Sequence, residues 1–134
     1  MIAKKIKSAV VAKDDAINYL KRARQLLASM RNNLAVSQWS AAVIDGVHAA
    51  ISANDALTVT YVGQRCTSNH HVDAVEFLKQ SLPRNLSPDL QRLKKIINIK
   101  SHVEYGPSLT TEKEALNVAK DVERFMAWAE EAFK

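Results

Sequence analysis

Arg65-Cys66-Thr67-Ser68-Asn69-His70-His71 brings a permanent cation, small polar groups and two imidazoles together at an expected helix start. A guanidinium keeps its charge and offers paired donors to a phosphate, and an imidazole exchanges protons near neutral pH. Such a set can hold an anion and move a proton. Upstream, Asp45, His48, Ser52 and Asp55 recur three and four residues apart, so a narrow polar stripe crosses an otherwise apolar stretch. Burying carboxylates is costly unless they are paired. The stripe therefore either faces solvent or lines a cleft or subunit interface opposite Arg65. No Gly-rich phosphate loop, HExxH or CxxC motif is present, and the single cysteine excludes an internal disulfide and a Cys-based zinc site. No metal site and no cofactor are expected.

The elements that must position these residues follow from periodicity. Ala16, Leu20, Ala23, Leu27, Met30 and Leu34 lay one apolar stripe along a first helix from about Asp14 to Leu34, whose Lys21, Arg22, Arg24 and Arg31 read as a solvated basic face. Ser37 is placed as the N-cap of a second helix running from Gln38 to about Val62. Trp39, Val43, Val47, Ala50, Leu57 and Tyr61 share one of its faces, and small residues fill the rest, as in a central helix with neighbours on several sides. Gly63 ends it. Ser68 or Thr67 caps a third helix reaching about Leu82, where Pro83 stops it, with Val72, Val75, Leu78 and Leu82 as its apolar face. Ser87-Pro88-Asp89 opens a fourth helix to about Lys100, with Leu90, Leu93 and Ile97 inward. Thr111-Glu112-Lys113-Glu114 is a capping box for a fifth helix carrying Ala115, Ala119, Val122, Met126, Ala129 and Phe133 on one stripe. Trp39 and Trp128 are assigned packing roles.

The expectation is an all-α, compact five-helix up-and-down bundle formed by residues 1–134 as a single domain. Its 134 residues and 47% hydrophobic content suffice for a core without staples, and three glycines and three prolines favour a few long helices over many strands. A net charge of +5 permits a phosphate-bearing partner without demanding one. The N-terminal residues are charged but lead into Lys13, Asp14 and Asp15 rather than a long apolar run, so no secretory signal is read there. With no membrane-spanning run either, a cytoplasmic location is expected.

Arginine, four residues, histidine, set between a long Ala-rich helix and a short one in a small helical chain, resembles the HEPN family, whose bundles carry an R-x(4–6)-H motif at the start of the third helix. Asp55 stands where that family often has a charged residue, and Lys100-Ser-His-Val-Glu104-Tyr105 is similar to its basic-xxx-acidic-Tyr segment after helix four. Position 72 is Val where one subgroup has Tyr, so a modification chemistry centred on that Tyr is not implied. The tandem histidines allow the spacing to be read as x4 or x5; helix geometry favours His70 as the acting residue and makes His71 a buried or interface histidine. The resemblance implies metal-independent RNA cleavage through a 2′,3′-cyclic phosphate, with Arg65 and His70 catalytic. Ser68, Asn69, His71, Asp55, His48, Lys100 and Tyr105 are the auxiliary or substrate-binding candidates. The implied partners are an RNA substrate, a second copy in a homodimer whose interface holds the motif, and a minimal nucleotidyltransferase antitoxin. Two other readings stand beside it. One is a catalytically inactive HEPN module that binds RNA, a nucleotide or the nucleotidyltransferase; the other is a plain helical scaffold.

Overall fold

A computed structural model describes residues 5–134, apart from the His71 side chain. Its helices are α1 (Ala16–Ala35), α2 (Trp39–Val62), α3 (His71–Ser81), α4 (Leu90–Tyr105) and α5 (Glu112–Phe133), and they form an all-α helical bundle. A 3-10 turn at Lys13–Asp15 leads into α1. The expected first, second and fifth helices are present within about two residues at each end.

Helix α2 is central, packing against all four other helices. Its Ala-rich surface explains why: small side chains let neighbouring backbones come close on several sides. At Gly46 a Cβ would stand 2.7 Å from Met30 Sδ and 3.3 Å from Val122 Cγ2, so a larger residue where α1 and α5 approach α2 would force the Met30 side chain to move. Leu20, Met30, Val43, Val47, Leu57, Leu78, Leu93, Ile96, Val122 and Phe125 are all fully buried. At about 25 cal/mol for each Å² of apolar surface removed from water, this burial is the main force holding the bundle together. Tyr61 adds a tie by donating from its hydroxyl to the Ala132 carbonyl at 2.6 Å, linking the ends of α2 and α5.

Helix α1 meets α5 through charge. Arg24 donates twice to Glu130, each at 2.7 Å, and Arg31 donates twice to Glu123, at 2.7 and 2.5 Å. Bidentate forks seven residues apart fix the two helices in register. The basic face of α1 is thus not merely solvated, and Arg22 adds a contact over the Tyr19 ring at 5.5 Å.

Two helix starts and one helix end differ from expectation. Ser37 adopts a left-handed backbone (φ 62°) in the turn after α1, where its N–H donates to the Leu34 carbonyl, and Gln38 precedes α2 without a side-chain cap. Asp89, not Ser87, caps α4, accepting from the Arg92 amide at 3.0 Å. A carboxylate both satisfies a free amide and complements the positive helix end, so it displaces the serine from this role. Helix α4 also continues five residues past Lys100, which brings Lys100 to Tyr105 onto the helix itself. The capping box at Thr111 and Glu114 is present as expected.

No strand was expected, yet β1 (Ser8–Val10) pairs antiparallel with β2 (Gln64–Cys66), matching Ser8 with Cys66, Ala9 with Arg65 and Val10 with Gln64. Val11 and Thr67 lengthen this ribbon through bonds to the Gly63 and Lys7 carbonyls at 2.9 and 3.0 Å. No described helix is long and apolar enough to cross a membrane.

Candidate functional site

The site is built on the reversal after α2. Gly63 takes a left-handed conformation (φ 66°) that a Cβ would strain, and its N–H closes on the Val59 carbonyl. The chain then turns into β2, whose pairing with β1 holds Arg65 at a defined register. Beyond it, Ser68 Oγ accepts from the His70 amide at 3.1 Å and donates to Asp73 Oδ2 at 2.6 Å, while the Asp73 amide donates to the His70 carbonyl at 3.0 Å. His70 therefore stands at the N-cap position of α3 in an extended conformation and makes no capping bond through its ring. Neither Ser68 nor Thr67 occupies that position. Ser68, one of the two expected caps, instead acts two residues upstream of that position.

These elements enclose a cleft of about 320 Å³ lined by Asn54 and Asp55 of α2, Arg65 and Cys66 of β2, Thr67, Ser68 and His70, and Lys100 of α4, with Ile51, Ala74 and Ile97 as apolar wall. Arg65, His70, Ser68, Asp55 and Lys100 were all anticipated, and they share this one space. The cleft carries two permanent cations and an imidazole at the N-terminal end of α3. Backbone amides and the helix dipole make such an end favourable for an anion.

Asp55 is the acid among them, 6% exposed, with its Oδ2 3.5 Å from Arg65 Nε. That separation permits charge attraction, but the Nε atom makes no hydrogen bond. Burial pushes the Asp55 carboxyl up to about 6, the nearby Arg65 charge opposing the rise without cancelling it. Burial likewise raises the Cys66 thiol, which leaves it a poorer nucleophile at neutral pH. Asn54 is 1% exposed, and its Oδ1 is buried without a partner. Asn54 was not anticipated. It stands directly before Asp55 in an Ala-rich stretch, with no spacing of its own to mark it.

The remaining candidates lie elsewhere. The noticed stripe divides: Asp45 accepts from Ser29 and Asn33 of α1 at 2.5 and 2.9 Å, and His48 pairs with Glu104 of α4 through Nε2 at 2.6 Å. Both serve helix-helix contacts. Only Asp55 faces Arg65. Tyr105 is 80% exposed at the end of α4, and Asn69 is exposed and does not line the cleft. The expected placement of His71 falls on a side chain outside the described residues. Val75 and Leu78 of the expected apolar face are buried and Leu82 packs against the core, but Val72 is 53% exposed, and Asp73, Phe77 and Ser81 are buried beside them.

No protein-family model and no curated protein matches the sequence.

Proposed function

We propose that the cleft is the active site of a metal-independent endoribonuclease of the HEPN type, and the single observation that supports this most is the meeting of Arg65, His70 and Lys100 around one space. RNA carries its own nucleophile, so a cation to hold the phosphate and a base to free the 2′-hydroxyl are enough. His70 takes the 2′-hydroxyl proton as the oxygen attacks phosphorus. The P–O5′ bond breaks, a 2′,3′-cyclic phosphate forms, and the departing oxygen takes a proton from water to become a 5′-hydroxyl. Arg65 and Lys100 offset the charge that builds on the non-bridging oxygens, where fixed donors contribute most. Ser68 contributes by position, since its bonds to the His70 amide and to Asp73 fix the chain where the imidazole begins.

The test is cleavage of structured and unstructured RNA in EDTA by the wild type and by His70→Ala and Arg65→Ala. Loss in both variants, with a cyclic phosphate at the product's 3′ end, is expected. Bound but uncut RNA would assign the chain to the inactive, binding form of the same module. Undiminished cleavage in both variants would place the chemistry elsewhere.

A further inference from the structure

Among the described residues, the buried side-chain polar atoms without a hydrogen bond are Asn54 Oδ1 and Arg65 Nε, and both belong to residues lining the same cleft. An unmade bond on a buried polar group is costly, so such atoms are normally satisfied. One is an acceptor and the other a donor. The Asp55 carboxyl, next to Asn54 in sequence and 3.5 Å from Arg65, lies with them. The arginine side chain is 39% exposed although its Nε is shielded, so its other atoms meet solvent. Arg65 is thus held beside Asp55 by charge attraction without an aligned hydrogen bond.

We infer that the cleft reads a base as well as a phosphate, and that the base it takes is guanine, held by Arg65 as donor and by Asp55 and Asn54 as acceptors. Guanine's pairing edge presents one acceptor, O6, followed by two donors, N1–H and the 2-amino group. Cytosine presents the complement, one donor followed by two acceptors, while adenine and uracil lack two neighbouring donors. Sequence-specific recognition of RNA works on such unstacked, single-stranded bases. Arg65 has donors enough for both tasks, Nε toward the base and its terminal nitrogens toward the phosphate. The inference rests on the reading of the cleft as an RNA site and adds that the nucleotide supplying the 2′-hydroxyl is guanosine.

Guanosine 3′-monophosphate and its adenosine, cytidine and uridine counterparts, titrated into the full chain by calorimetry, test this without requiring cleavage. A preference of about tenfold or more for the guanosine compound is expected, the size of one good directional pair. Asn54→Leu and, separately, Asp55→Asn should bring the ratio toward one. Circular dichroism identifies a variant that fails to fold, and the other variant then decides. Equal affinities for the four nucleotides, or a guanosine preference that survives in a folded variant, would overturn the inference. RNA cleaved without regard to base would sink it while leaving the endoribonuclease standing; guanosine selectivity without any cleavage would do the reverse.

Discussion

At the scale of single residues, the cleft sets Asp55 against stability. Its folded carboxyl titrates near 6 while an unfolded aspartate titrates near 3.8, so the native state binds the proton more tightly. Stability from this group is fully present below the unfolded value and is lost as pH rises through about 6. Asp55→Asn should therefore stabilise the protein at pH 7.5 by on the order of 1–3 kcal/mol, with the gain shrinking toward pH 4; urea melts at the two pH values check this. A gain independent of pH would show that the carboxylate is not strained. His70→Ala should slow RNA cleavage about 10²–10⁴-fold, the usual worth of a general base. Arg65→Ala should also weaken binding of RNA. The double variant should be little worse than either single one, because both groups serve one transition state; single-turnover rates with saturating RNA decide. Residue types and spacing brought Arg65, Ser68, His70 and Asp55 into view, and the family resemblance added Lys100; the structure sets them around one cleft. Asn54 was not legible in the sequence, since an asparagine inside an Ala-rich helix shows its missing bond only once the neighbours are placed.

At the scale of elements, long amphipathic helices were legible because each repeats its apolar signal many times. The ribbon was not. Three residues a side give no period to count, and its partners are far apart in the chain, so only the folded form reveals it. The same gap hid the start of the third helix, which begins at His71 after the ribbon. Gly63 is the joint on which this arrangement turns, and Gly63→Ala should cost about 1–2 kcal/mol for the left-handed backbone. Because Arg65 lies two residues beyond, that substitution should lower cleavage more than its melting temperature accounts for. Thr111→Ala supplies the comparison, since it removes the capping box of α5, outside the cleft, and should cost about 0.5–2 kcal/mol in stability with cleavage per folded molecule retained. Parallel melts and cleavage assays separate the two.

At the scale of the whole molecule, the family resemblance implied a two-fold partner. The apolar surface of α2 is covered within the chain, since most of that helix is buried by its own neighbours. Of the apolar side chains that remain exposed, Val36, Leu109 and Leu116 lie elsewhere, while Val10 on β1, Val62 at the end of α2 and Val72 on α3 stand on the elements that build the cleft and are 87%, 38% and 53% exposed. Pairing through these valines would bring two copies of the Arg65 segment together. Val72→Asp should then lower the mass seen by sedimentation equilibrium from dimer to monomer, and a wild type that sediments as a monomer at micromolar concentration would remove the shared cleft. The ribbon has one more consequence, in time rather than space. Ser8 Oγ reaches Gln64 across 56 residues of chain, whereas α1 and α2 are joined by a short turn and can pair as soon as both exist. Closing the longer loop carries the larger entropic cost and comes later. A chain leaving the ribosome would hold its first strand unpaired until the arginine emerged, and hydrogen exchange in the finished protein should find the amides of Arg65 and Thr67 opening before those of α2.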